Sequence, residues 1–156
     1  MVTTKRTIKL KKYLDIIEEY VAGGTITPGM VVEIYQSSTA TRLRAHNHED
    51  GDVAPLMVAL ENELLGGGID DNYATGDQVQ VWVVQRGEQF YGLLENGSHV
   101  EIGDKLTSKG NGRLKKWVAD SDTPHTSQIV AVALEHRDLS GSSGADEGYR
   151  IMVVAA

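Results

Sequence analysis

Along most of this chain apolar residues alternate with polar ones or form short runs, and turn residues separate the runs. Residues 78–86 are the clearest case, with Val79, Val81, Val83 and Gln85 on one face and Gln80, Trp82, Val84 and Arg86 on the other. That two-residue period predicts a strand. A Pro28-Gly29 turn leads into 30–35, where Val31, Val32, Ile34 and Tyr35 favour another. In 40–45, Thr41, Leu43 and Ala45 alternate with Arg42 and Arg44, and 53–60 is apolar enough for a buried strand. Further β runs are expected at 89–94, 129–134 and 149–154. Gly66-Gly67-Gly68, Gly87-Glu88, Gly103-Asp104 and Gly110-Asn111-Gly112 punctuate them. Asn96-Gly97 predicts a type I′ hairpin turn, because both residue types tolerate positive φ.

One stretch breaks this grammar. Over 13–22 the apolar residues Tyr13, Leu14, Ile16, Ile17, Tyr20 and Val21 include helical spacings, with Asp15, Glu18 and Glu19 opposite and Gly23-Gly24 after them. A short amphipathic helix is expected there. The fold class expected is all-β, a small barrel or sandwich over 25–156 that follows an N-terminal arm over 1–24. Val58-Ala59-Leu60-Glu61 is echoed by Val132-Ala133-Leu134-Glu135, and each leads through a Gly-rich turn to a β run. Two such units would suit a body built from similar halves.

Charge sharpens the division. The chain of 156 residues carries −7 in total, yet residues 1–12 hold Lys5, Arg6, Lys9, Lys11 and Lys12 and no acid. The rest has 10 basic against 22 acidic residues, a balance of −12. A basic arm ahead of an acidic body predicts that the arm does the docking, with Tyr13, Leu14 and Ile17 as its apolar contacts. The acidic body argues against nucleic acid as the main partner. The absence of cysteine excludes disulfides, thiolate catalysis and Cys-ligated metals. No apolar run approaches the ~18 residues of a membrane span, and no apolar segment follows the basic N-terminus as in a secretory signal.

Candidate chemistry is sparse. His46 and His48, with Glu49, Asp50 and Asp52, are the densest metal-capable cluster, but a tight zinc site needs three or four converging ligands. His99, His125 and His136 are scattered in sequence. Counted from Asp70, the sixth and twelfth positions of a calcium loop hold Thr75 and Val81, so that motif fails. Gly141-Ser142-Ser143-Gly144-Ala145 is not a nucleophile elbow. Lys109-Gly110-Asn111-Gly112-Arg113 lacks the Walker Lys-Ser/Thr. Lys115-Lys116-Trp117 offers a stacking surface for a nucleic-acid accessory role. No catalytic, cofactor or metal residue is assigned.

Two resemblances carry function. The stretch from Gly68-Ile69-Asp70 through Tyr73 to Gly76-Asp77 resembles a motif of trimeric dUTPases, and implies a nucleotidohydrolase using Asp70 and Tyr73. The phosphate loop and C-terminal lid of that family have no counterpart here. Thr27-Pro28-Gly29-Met30-Val31-Val32, Val58-Ala59-Leu60-Glu61, Gly76-Asp77-Gln78-Val79, Val100-Glu101-Ile102-Gly103-Asp104 and Ala131-Val132-Ala133-Leu134-Glu135 together resemble the capsid decoration (cement) proteins of tailed bacteriophages. That resemblance spans residues 25–156. It implies a non-enzymatic β protein, made in the host cytoplasm and carried on the outside of the virion head. Its partners would be the major capsid protein and copies of itself, as trimers before dimers, with no cofactor and no membrane.

Overall fold

The computed structural model describes residues 7–11, 16–50, 53, 55–119, 128–141 and 149–156. Its strands are β1 (Lys9–Lys11), β2 (Ile16–Ile17), β3 (Val31–Gln36), β4 (Thr41–Ala45), β5 (Met57–Ala59), β6 (Val81–Val83) and β7 (Gln89–Leu93). They continue as β8 (His99–Val100), β9 (Lys105–Ser108), β10 (Leu114–Lys116), β11 (Ala131–Ala133), β12 (Arg137–Asp138) and β13 (Arg150–Ala155). One sheet has the order β2-β6-β5-β3-β4, a second β1-β7-β13-β11-β9-β10, and β8 with β12 makes a two-stranded ribbon. Every strand pair is antiparallel.

Alternation along the strands decides where the core lies. Val31 opposes Val58, and Val58 opposes Trp82, so these three form one row across the five-stranded sheet. The row packs in one cluster with Phe90, Leu106, Leu114, Ile151 and Val153 of the other sheet. The next positions, Val32, Met57, Ala59 and Val81, point the opposite way into a second cluster with Ala22, Ile26, Leu43, Tyr73 and Val79. A sheet buried on both faces needs apolar residues at successive positions, which is why 53–60 reads as a continuous run. Each fully buried Val, Leu or Phe side chain contributes about 1.5–3 kcal/mol relative to exposure.

The chain is built from two halves of the same design. Read across the sheet, the first half runs β2, β6, β5, β3, β4, which are its first, fifth, fourth, second and third strands in sequence, and β7, β13, β11, β9, β10 repeat that order in the second half. Registers agree as well: Met57, Val58 and Ala59 oppose Val83, Trp82 and Val81, just as Ala131, Val132 and Ala133 oppose Ala155, Val154 and Val153. Gly29 donates its N–H to the Ala59 carbonyl at 2.8 Å, and Gly103 donates to that of Ala133 at 2.9 Å. Leu60 donates to Gln80 at 2.9 Å, and Leu134 to Met152 at 2.8 Å. His46 donates to Val31 at 2.9 Å, and Trp117 to Lys105 at 2.8 Å. The Val-Ala-Leu-Glu echo therefore marks the fourth strand of each half.

A parallel bridge in each half, Ala22 with Leu43 and Leu94 with Leu114, draws the end of the first strand towards the third and curls the sheet. One bridge is not a ladder. The sheets stay open, and the all-β fold is a sandwich rather than a closed barrel.

The N-terminal region departs from expectation. No helix forms over the described part of 13–22. Ile16 and Ile17 are β2, while Val21 and Ala22 bridge to Gln78 and Leu43. A short Ile/Val/Tyr segment is marginal as a lone helix, and β6 offers it a partner strand. Residues 7–11 are also woven into the body, because β1 pairs with β7 and Ile8 is fully buried. Two strands of the expected arm, β1 and β2, thus pair with β7 and β6 of the body.

The Asn96-Gly97 turn differs too. Gly97 has φ +78° but Asn96 is not in the positive region, and β7 and β8 lie in different sheets. It redirects the chain out of the sheet into the ribbon instead of closing a hairpin.

Candidate functional site

Of the residues expected to dock, Lys5, Arg6, Lys12, Tyr13 and Leu14 lie outside the described residues. Lys9 and Lys11 sit on β1, at the edge of the six-stranded sheet. Lysine on an edge strand discourages pairing with another chain. Ile17 is half-buried and packs against the second core cluster. Where 7–8 joins the body, Glu61 is the anchor. Its carboxylate accepts the Ile8 N–H at 3.2 Å and the Thr7 hydroxyl.

The His46–Asp50 cluster is a structural knot. The ring of His46 is buried, with Nδ1 2.8 Å from the Ser108 hydroxyl, and packs edge-on against His48. Lys109 and Lys115 donate to Glu49 at 2.9 and 2.7 Å, and Lys115 also reaches Asp50 at 3.0 Å. Hydrogen bonds from Lys115 and then Lys109 hold the Glu49 carboxyl down at about 2. Asp50 takes a left-handed φ of 54°, and its N–H donates to the Ser108 carbonyl at 3.0 Å. These groups tie the loop after β4 to the β9–β10 hairpin. Asp52 lies outside the described residues.

The residues of the nucleotidohydrolase motif also have structural work. Tyr73 is buried in the second cluster, and its phenol donates to the Leu60 carbonyl at 2.9 Å. Burial pushes that phenol up to about 12. It has no open face on which a base could stack. Asp70 is 83% exposed and pairs with Arg150 at 2.9 Å. The buried Arg150 guanidinium donates to the Pro28 carbonyl at 3.2 and 3.0 Å and to the carbonyl of Ile69, fastening that turn to β13.

The Lys115-Lys116-Trp117 surface is likewise engaged. Lys115 serves Glu49 and Asp50, Lys116 pairs with Asp104 at 2.7 Å, and Lys105 lies 5.6 Å from the Trp117 ring centre. Leu64 and Leu65 stand 75% and 84% exposed on a single 3₁₀ turn, Glu63–Leu65, beside a groove edged by Glu18, Asp77 and Gln80.

One cluster was not visible as such in the sequence. His99 and His136 are 37 positions apart by their numbering, yet the ribbon joins them. In its register Asp138 opposes His99 and Arg137 opposes Val100. His99 Nε2 lies 3.0 Å from Glu101 Oε1, and His136 Nδ1 lies 3.1 Å from Glu101 Oε2. His99 Nδ1 is 3.4 Å from Asp138. The available signal was a pair of His-x-acid steps, His99-Val100-Glu101 and His136-Arg137-Asp138, each placing both side chains on one face of a strand.

No family model matches the chain, and no curated protein does either. A solved structure does: the head fiber gp8.5 N base of bacteriophage phi29, with a TM-score of 0.56. The likeness covers 91% of this chain and 95% of that one at 15% identity. At that identity the shared property is the all-β fold. No helix among the described residues is long and apolar enough to cross a membrane.

Proposed function

We propose that this chain is a structural protein of a tailed-phage head, bound to the outer surface of the capsid as a decoration protein or fibre base. The observation that carries the reading is the fold likeness to a head-fibre base over nearly the full length of both chains. It coincides with the order of turns and strands over 25–156 that resembles the decoration proteins. The partners proposed are the major capsid protein and further copies of this chain, a trimer before a dimer, with no catalytic role.

The reassigned N-terminus narrows the docking proposal. Ile8 belongs to the core and β1 to a sheet, so the residues left for contact are Lys5 and Arg6, supported by Lys9, Lys11 and Lys12. An acidic body stays soluble outside the head while a basic end meets acidic capsid surface. Many weak copies on one shell bind by avidity. The test is saturable binding to purified heads with the wild type and with a Lys5→Glu/Arg6→Glu variant. The variant binds more weakly, and the difference shrinks as salt rises. Removal of residues 1–12 is a poor test, since it takes Ile8 out of the core.

A further inference from the structure

The geometry points to a divalent transition-metal site on the β8–β12 ribbon, with His99, His136 and Glu101 as ligands and Asp138 holding His99 in place. Ligand atoms of His99, Glu101 and His136 all lie within 4.8 Å of one another. Two imidazoles and a carboxylate are the donor set of zinc and its neighbours rather than of calcium or magnesium. Around a tetrahedral ion with bonds of about 2.0–2.2 Å, ligand atoms sit roughly 3.3–3.6 Å apart, a spacing inside the 4.8 Å within which one ligand atom from each of the three residues already lies. The three groups need only small side-chain shifts to turn from one another towards an ion.

Three further observations support the site. First, the two nitrogens of His99 have separate partners: Nε2 faces Glu101, and Nδ1 faces Asp138 at 3.4 Å. A carboxylate on the far nitrogen of a ligand histidine fixes its tautomer and raises its basicity. Asp138 is itself held by the Ser140 N–H at 3.0 Å and the Ser140 hydroxyl at 2.6 Å.

Second, strand alternation separates the site from the core. Val100 is fully buried, and Arg137 turns to the Tyr91 hydroxyl at 3.0 Å, so the four candidate residues share the opposite, solvent-facing side.

Third, the fold does not require them. In the first half the position of the ribbon is taken by the bridge of Ile26 with Tyr73. Its neighbours are Thr25, Thr27, Asn72 and Ala74, none of them a histidine or an acid. The same backbone device is thus built once without metal ligands and once with a complete set.

The ion leaves at least one coordination position facing solvent, open to water or to a ligand from a neighbouring molecule. Calorimetric titration of tag-free, chelator-treated protein with Zn²⁺ tests the site. The expected result is one ion per chain at micromolar affinity or tighter, with a rise in Tm that follows occupancy. His99→Ala and His136→Ala each abolish binding, and Glu101→Gln weakens it in an isosteric frame. Asp138→Asn weakens it about 10–100-fold, as expected of a positioning residue. His48→Ala leaves it unchanged. Because all four side chains are about half exposed, the variants keep the metal-free Tm and circular dichroism of the wild type. Absence of heat and of a Tm shift at submillimolar Zn²⁺ overturns the site. So does undiminished binding by the His99→Ala/His136→Ala double variant.

Discussion

Glu61 accepts the backbone N–H of Ile8 at 3.2 Å, across a separation of 53 positions. The contact makes residues 7–8 part of the sandwich. Ile8 is fully buried beyond it, and the Ile8 carbonyl accepts from Tyr91 at 2.8 Å. Glu61→Ala leaves a buried N–H without its charged acceptor and is expected to cost about 1.5–3 kcal/mol in urea unfolding. Amide exchange at Ile8 and Tyr91 should accelerate more than in the second cluster. A loss below about 0.5 kcal/mol would mean that residues 7–8 are held by β1 pairing alone.

Arg150 and Asp70 make an asymmetric pair, buried on one side and 83% exposed on the other. Asp70→Asn should therefore change stability by less than about 1 kcal/mol, as for exposed ion pairs. Arg150→Met orphans the Pro28 and Ile69 carbonyls and should cost at least about 1–3 kcal/mol. Equal effects from both substitutions would contradict this division of labour.

Glu49 gives a pH prediction. Its carboxyl is lowered from 4.5 to about 2 by Lys115 first and Lys109 second. A depressed folded value means that the contribution is fully present above 4.5 and is lost as pH falls towards 2. Lys115→Met should return the Glu49 carboxylate, followed by NMR, towards its ordinary range. An unchanged titration would show that Lys115 is not the main cause.

The two halves can be compared at matched glycines. Gly29 and Gly103 both have positive φ, 96° and 89°. A Cβ at Gly103 meets nothing within 4 Å, whereas one at Gly29 would lie 2.9 Å from the Tyr91 carbonyl. Gly103→Ala should cost about 1–2 kcal/mol of backbone strain alone, and Gly29→Ala distinctly more, in thermal or urea unfolding. Equal costs would show that the Gly29 neighbourhood yields to the added carbon.

Local pattern carried the strands well. Alternation in 78–86 located β6, and the Gly-acid turns fold as expected. At Gly76-Asp77 and Gly103-Asp104 the acid accepts the N–H three residues before it, at 2.8 Å in both cases. What stayed hidden depends on distant partners. Ile16-Ile17 became a strand because β6 was beside it, and Ile8 is core because Glu61 and β7 receive it. His99 and His136 form a cluster only once the ribbon register is known. The Val-Ala-Leu-Glu echo was legible, but five matched strands in one order could be seen only in three dimensions.

Co-sedimentation with heads assembled from the major capsid protein of the same genome decides whether the protein has a place on a phage head. The protein is expected to move into the head fraction and to saturate at a copy number set by the local symmetry axes of the shell. Protein that stays at the top of the gradient at every concentration, in low as in moderate salt, would contradict that place.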